Sequence, residues 1–248
     1  IAKQAAKANI FFLYVSTDYV FNGIDGMKKE SDSPNPLGFY GKSKLGGELA
    51  LNKLASNWCI ARTSTPFGIH PTKKSFPLWI KENLDAKKEI PVLVDQFTTP
   101  TYVPNLSKML IEIAIRQING IIHVSGATRI SRYDLAGLIA DKFNLDKNLL
   151  IPTKIDAMNW KAQRPKDSSL NTSLASENLN EQPQKIEKSL ELQKVSASIK
   201  REYNEISSAV NFALTSGDRL WNNRYEKSLL ELNKSLHIST NLGDKSFP

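Results

Sequence analysis

The sequence predicts an α/β fold: a parallel sheet whose strands alternate with helices, followed by a helical hairpin. Three observations predict it. Short continuous apolar runs, of the kind buried on both faces of a parallel sheet, recur through the body of the chain. Helical patterns with apolar residues three and four apart lie between them. From about Lys185 the short runs cease and two long amphipathic stretches follow.

In chain order, Ala2, Ala5 and Ala6 with Lys3 and Lys7 read as the end of a helix, and Ile10 to Val15 as the first strand. A loop rich in Asn, Gly, Asp and Pro runs from Asn22 to Pro36. A helical pattern with Leu45, Leu49 and Leu54 among its apolar positions then spans Phe39 to about Ser56. Trp58 to Ala61 is the second strand. Phe76 to Leu84 reads as a helix, Ile90 to Val94 as a strand, Asn105 to Ile118 as a helix and Ile121 to Val124 as a strand. Ser131 to Phe143 carries a helix start signal, with Ser131 as N-cap and Asp134 at the third helical position. Beyond Lys185, Ile186, Leu190, Ile199, Tyr203, Ile206 and Val210 fit one amphipathic helix. Leu220, Trp221, Tyr225, Leu229, Leu232 and Leu236 fit another, with Ser216-Gly217-Asp218 as the turn. The expected organisation is a body over 1–183 and a helical extension over 184–248.

The composition is that of a globular protein, 40% hydrophobic and 23% charged. A net charge of +8 invites an acidic partner, but the basic residues alternate with acids, as in Lys81-Glu82 and Lys200-Arg201-Glu202. Solvated helix faces account for that pattern, and neither zinc-finger spacing nor an RNA-reading aromatic motif argues for nucleic acid. No apolar run approaches the ~20 residues that cross a bilayer, so no membrane partner is expected. Cys59 stands alone, which rules out an internal disulfide and makes a cytoplasmic setting the simplest expectation. His70, His123 and His237 are scattered and form no ligand cluster with Cys59, so no metal is expected.

The chemistry concentrates at two places. Tyr40 and Lys44, four residues apart, share one helix face. The strand before them ends in Ser16-Thr17-Asp18-Tyr19, which brings hydroxyls toward that face. A phenol loses its proton near pH ~10, and a neighbouring cation lowers that value toward neutrality. Phenol, ammonium and hydroxyl together can protonate an oxygen while a hydride reaches the adjacent carbon. A Tyr-x-x-x-Lys match alone is weak in a lysine-rich chain with seven tyrosines. Its position, opening a helix after a proline-containing loop and a buried strand, gives it weight.

Val15-Ser16-Thr17-Asp18-Tyr19-Val20-Phe21-Asn22-Gly23 and Pro36-Leu37-Gly38-Phe39-Tyr40-Gly41-Lys42-Ser43-Lys44-Leu45-Gly46-Gly47-Glu48 resemble the extended short-chain dehydrogenases/reductases. Within that group the chain looks most like the dTDP-4-dehydrorhamnose reductase family. Arg62-Thr63-Ser64, Val94 to Thr101 and Arg164 to Thr172 agree in the same order, so the similarity covers about residues 1 to 193. The resemblance implies a Rossmann-like parallel sheet with a small substrate-binding lobe. It also implies reduction of a nucleotide-linked 4-keto-6-deoxy sugar with NADPH or NADH. In that reading Tyr40 is the general acid, Lys44 supplies the cation and holds the nicotinamide ribose, and Thr17 polarises the carbonyl. Ser16 and Ser64 join Tyr40 and Lys44 on the cofactor. Asp18, Tyr19, Thr65, Gln96 and Arg164 face the substrate, with Arg164 suited to a diphosphate. The partner is a nucleotide sugar, with a homodimer as one assembly the resemblance allows. Related readings are a nucleotide-sugar epimerase or dehydratase, and a regulatory β-subunit of methionine adenosyltransferase that binds a partner without turnover.

Two departures qualify the resemblance. No glycine-rich turn follows a first strand, so the dinucleotide fingerprint is missing and the choice between NAD and NADP is not legible. With Ile1 opening the chain, the expectation is a fragment without its N-terminal βα units, and with poor cofactor affinity. Thr65 stands where the family usually has tryptophan, which bears on the identity of the sugar.

Overall fold

A computed structural model describes residues 1–54, 57–70, 72–216 and 222–242. The chain divides into two compact units, Ile1–Ile186 and Glu187–Pro248.

The first unit opens with α1 (Ala2–Lys7) and β1 (Phe12–Thr17), turns through a 3-10 helix at Asp18–Val20, and continues into α2 (Phe39–Leu54) and β2 (Trp58–Thr63). The chain then builds a lobe from β3 (Pro66–Phe67), α3 (Phe76–Asp85), β4 (Ile90–Leu93), β5 (Phe97–Thr98) and β6 (Thr101–Tyr102). It returns through α4 (Val103–Arg116) to β7 (Gly120–His123). β8 (Ile130–Ser131), α5 (Arg132–Phe143), β9 (Leu150–Thr153) and α6 (Ser173–Asn178) complete the unit.

β1, β2 and β7 form a parallel sheet in that order. Across it Ser16 lies beside Arg62, and Arg62 beside His123. β3 pairs with β6 and β4 with β9, both parallel, and β5 with β8 antiparallel. The α/β alternation is thus present, but β4 does not join the main sheet. Its register places Pro91 opposite Ile151 and Val92 opposite Pro152. Each proline lacks an N–H for the ladder, which suits a small two-stranded sheet better than a central strand.

Successive strand residues point to opposite faces. On one face of the main sheet Cys59, Ala61 and Ile122 pack with Leu106, Met109 and Ile113 of α4, and with Ala175 and Leu179. The three- and four-residue spacing of the α4 positions is the expected core stripe. α4 ends at Gln117, in the left-handed region with φ 49°. The Cys59 thiol is fully enclosed there, and burial pushes its pKa up to about 12. In the lobe α3 and α5 pack together over β4, burying Ile80, Leu84, Leu135 and Ile139. Ser131 caps α5 as its sequence predicts, accepting a hydrogen bond from the Asp134 amide at 2.9 Å.

The first strand differs from its expectation. Its continuous apolar run reads as burial on both faces, yet Val15 is 40% exposed and Phe12 to Tyr14 are half-buried. Among the described residues β1 pairs with β2.

The second unit consists of α7 (Ile186–Ser216), which begins at the boundary, and α8 (Asn222–Asn241). Leu190 and Ile199 of the predicted stripe are buried, whereas Tyr203 is exposed. Among the described side chains of α8, Ser228, Ser235 and Ser239 are buried, Leu232 and Leu236 are half-buried, and Leu229 faces solvent. The Ser235 Oγ donates to the Ser198 Oγ at 3.0 Å, joining the two helices. The predicted turn at Gly217-Asp218, Leu220 and Trp221, residues 55 and 56 of the predicted first long helix, and the side chains of Leu54, Val210 and Tyr225 lie outside the described residues.

Ile113 is fully enclosed between α4 and the sheet. Ile113→Ala is expected to cost about 2–5 kcal/mol, read as a lower urea midpoint at unchanged slope.

Candidate active site

The carboxyl end of β1 and the start of α2 build the site. Ser16 and Thr17 are adjacent, so their side chains leave the strand on opposite faces. The Ser16 hydroxyl donates to Glu48 Oε1 at 2.5 Å. Glu48 also accepts from Arg62, Nε to Oε1 at 3.0 Å and Nη2 to Oε2 at 2.7 Å. Both partners are almost fully enclosed, Arg62 at 1% and Glu48 at 3% exposure. Arg62 further lies 3.5 Å from His123 Nε2 and 5.1 Å from the centre of the Phe21 ring. Burial, and then the Arg62 cation, hold the His123 imidazole down from 6.5 to about 3. The ring is therefore neutral, with Nδ1 placed to donate to the Asn171 carbonyl at 3.2 Å.

This buried network fixes α2 against the sheet, and two glycines let it sit close. A Cβ at Gly41 would run into the Tyr19 carbonyl, and one at Gly47 into the Tyr14 ring and hydroxyl. The helix thereby presents Tyr40 and Lys44 at the strand end. Tyr40 is 57% exposed, its ring edge-on to Tyr19 at 6.0 Å. The Lys44 Nζ donates to the Val15 carbonyl at 2.6 Å and sits 4.3 Å from the centre of the Tyr14 ring. The ammonium is thus held at β1 with N–H donors to spare.

Thr17 belongs to a second network. Its hydroxyl donates to Asp18 Oδ1 at 2.9 Å and accepts from the Tyr19 amide at 3.3 Å. Asp18, at 3% exposure, accepts from Ser64 on Oδ2 at 2.7 Å. Ser64 meets Thr98 at 2.7 Å, and Thr98 meets Thr65 at 2.6 Å. Burial raises the Asp18 carboxyl above its usual range, against the opposing hydrogen bonds of Ser168, Ser64 and Thr17 and the charge of Arg132. Burial, with the Asp18 charge behind it, also raises the Tyr19 phenol. Thr65 adopts φ 41°, a left-handed conformation that is rare for a β-branched residue.

Of the expected site residues, Tyr19, Tyr40 and Arg164 line one cavity of about 400 Å3. A second, of about 640 Å3, includes Trp160 and Lys166, and the two share Leu37, Ala162, Gln163 and Arg164. Arg164 is exposed, its guanidinium 4.1 Å from the centre of the Trp160 ring. Thr17, Asp18, Ser64 and Thr65 form the hydroxyl–carboxyl chain. Ser16 turns away to Glu48. Gln96 is buried, its Nε2 donating to the Pro165 carbonyl at 3.3 Å, while its main-chain carbonyl accepts from the Arg132 main-chain amide at 3.0 Å.

Sequence reading missed Glu48, Arg62 and Arg132. Two left a trace: Arg62 is a charge at the end of an apolar strand, and Glu48 lies one turn beyond Lys44 on the same helix face. Arg132 left none. It is half-buried, 4.8 Å from the Phe76 ring centre, and its charge faces Asp18, Tyr19 and Arg164.

A nicotinamide cofactor is what this arrangement implies. The residues fit its nicotinamide end, since an exposed phenol and a fixed ammonium sit at the carboxyl end of a parallel strand. The glycine-rich cradle for a pyrophosphate does not occur in this sequence. Among the described residues no group of three His, Cys, Asp or Glu side chains could hold a metal, and no helix is long and apolar enough to cross a membrane.

A parallel sheet with a Tyr-x-x-x-Lys helix seated at its carboxyl end defines an extended short-chain dehydrogenase/reductase. The chain belongs to the RmlD substrate binding domain family, whose model matches residues 1–197, a family of NAD(P)-dependent reductases. It is similar to methionine adenosyltransferase 2 subunit beta of Danio rerio, 32% identical over 180 residues, covering 70% of this chain and 55% of that protein. It is also similar to a probable low-salt glycan biosynthesis reductase of Haloferax volcanii, 30% identical over 177 residues, covering 70% and 59%. The chain thus spans little more than half the length of these relatives. Among solved structures, dTDP-4-dehydrorhamnose reductase of Bacillus anthracis in complex with NADP matches with a TM-score of 0.73 at 28% identity, over 79% of this chain and 69% of that one.

Two measurements check the network. Arg62→Met, which strands the Glu48 charge, is expected to cost about 3–5 kcal/mol in urea denaturation, and adding Glu48→Leu is expected to recover most of it. Because the His123 pKa falls from 6.5 in a free imidazole to about 3 here, only the unfolded chain gains that proton between the two values. The histidine's contribution is therefore full above pH 6.5 and is lost as pH falls toward 3. His123→Gln is expected to flatten that part of the stability–pH curve.

Proposed function

We propose that this chain carries the catalytic centre of an NAD(P)H-dependent reductase acting on a nucleotide-linked 4-keto-6-deoxy sugar. The observation that carries the reading is the seating of Tyr40 and Lys44. The phenol opens into a cavity beside Tyr19, and the ammonium is pinned to the Val15 carbonyl one strand end away.

The cofactor, when bound, supplies a hydride to the sugar carbon. Tyr40 gives its proton to the C4 oxygen as charge develops there, and its exposure lets water restore that proton afterwards. Lys44 would hold the nicotinamide ribose with its remaining N–H groups and would stabilise the developing tyrosinate electrostatically. Thr17 steadies the carbonyl oxygen by hydrogen bonding. Arg164 and Lys166 line the neighbouring cavity, where cationic side chains suit a diphosphate. Thr65, in place of a large aromatic, leaves room beside the sugar.

A second reading, a partner-binding subunit without turnover, is favoured by the similarity to methionine adenosyltransferase 2 subunit beta. The presence of Thr17, Tyr40 and Lys44 together at one strand end favours the enzyme.

The test follows NADPH or NADH absorbance with dTDP-4-keto-6-deoxyglucose, using the complete product of the source gene. Substrate-dependent oxidation is expected, with Tyr40→Phe lowering kcat about 10²–10⁴-fold. Absence of oxidation despite measurable cofactor binding would transfer the assignment to the partner-binding reading.

A further inference from the structure

Thr17 has one hydroxyl hydrogen, and that hydrogen is engaged. It points to Asp18 Oδ1 at 2.9 Å, while the Thr17 oxygen accepts from the Tyr19 amide. A substrate carbonyl offers only lone pairs, so Thr17 can bind it only by turning the hydrogen away from Asp18. If Asp18 stayed ionised, that turn would leave two oxygens facing each other in a buried site with no hydrogen between them, which is costly. If Asp18 carries a proton, it can donate to the Thr17 oxygen, and the Thr17 hydrogen is free to point outward.

We propose that Asp18 is a positioning residue whose own proton decides whether the Thr17 hydroxyl serves the carboxyl or the substrate carbonyl. The proposal rests on the reductase reading and adds a switch to it. No proton is transferred from Asp18; the hydride and the Tyr40 proton complete the reduction, and Asp18 keeps its proton throughout.

The surroundings favour such a state. Asp18 is enclosed, and its other oxygen is held by Ser64, whose hydroxyl leads on to Thr98 and Thr65. Hydroxyls can reverse their donor sense, so this chain accommodates either form of the carboxyl. Burial outweighs the hydroxyl donors and raises the carboxyl. The charged or titratable groups facing it are Tyr19 on its own turn and Arg132 from α5. Arg164 and Tyr40 act on Tyr19 in turn. Arg132 works against protonation.

Carbon-detected NMR of the complete gene product, with labelled aspartate assigned through the backbone, tests this without turnover. Asp18 is expected to titrate above the ordinary aspartate value, and dTDP-4-keto-6-deoxyglucose is expected to raise that titration further. A ligand that needs the protonated form must favour it, by linkage. Thr17→Val should raise the titration of the free protein and remove the ligand's effect. A titration at or below the ordinary value, or one that the sugar leaves unchanged in wild type, overturns the proposal.

Kinetics supply the second arm. The wild-type kcat should fall as pH rises through the titration seen by NMR. Asp18→Asn, whose amide can donate to Thr17 at every pH, should lack that limb and exceed Asp18→Ala in kcat by about tenfold or more. If both variants are equally impaired, or Asp18→Asn keeps the limb, Asp18 is merely structural. If wild type never oxidises the cofactor, the reductase reading fails, and the NMR arm still decides whether the Asp18 proton controls Thr17.

Discussion

The buried pair of Glu48 and Arg62 is the constraint on which the rest of the first unit depends. It joins α2 to the centre of the parallel sheet through two hydrogen bonds, and Ser16 extends it to the neighbouring strand. An enclosed charge pair contributes little net stability over apolar side chains, but it tolerates few alternative placements, since either charge alone would be stranded. Here the demand fixes rotation and depth of the helix that carries Tyr40 and Lys44. Gly41 and Gly47 complete the seating by removing side chains that would hold the helix away.

Two adjacent residues of β1 divide the labour. Ser16 faces α2 and belongs to the Glu48–Arg62–His123 row. Thr17 faces the other way and belongs to the Asp18–Ser64–Thr98–Thr65 chain, which reaches the lobe. The pleat of a strand keeps the networks apart, so the donor sense of one can change without disturbing the other. The lobe reaches the site through its loops, with Gln96 tied to Pro165 and Arg132.

Much of this was legible in the sequence, and the limits are physical. Apolar periodicity located α3, α4 and α5, and apolar runs located the three strands of the main sheet, although β1 buries its run only in part. It could not say which strand partners which, so the pairing of β4 with β9 emerged only in three dimensions. In α8 the leucine pattern located the helix, with Leu232 and Leu236 half-buried, but gave no sign of the buried Ser228, Ser235 and Ser239. The Tyr-x-x-x-Lys spacing marked the candidate site because four residues span about one helical turn. Asp18 and Ser64 both stood out in the sequence as candidates but not as neighbours, since a hydrogen bond across 46 positions leaves no local pattern. Arg132 gave no signal, because a single arginine opening a helix resembles any solvated cation.

The lone cysteine acquires a use from its position. Cys59 lies under α4 at the middle of the main sheet, and its thiol ionises only near pH 12. Thiol reagents attack the thiolate, so the folded chain is inert to them on two counts, access and ionisation. Any modification must pass through an opening that separates α4 from the sheet. The rate of alkylation at Cys59 is therefore a clock for the breathing of the core, one that needs neither a cofactor nor a substrate to run.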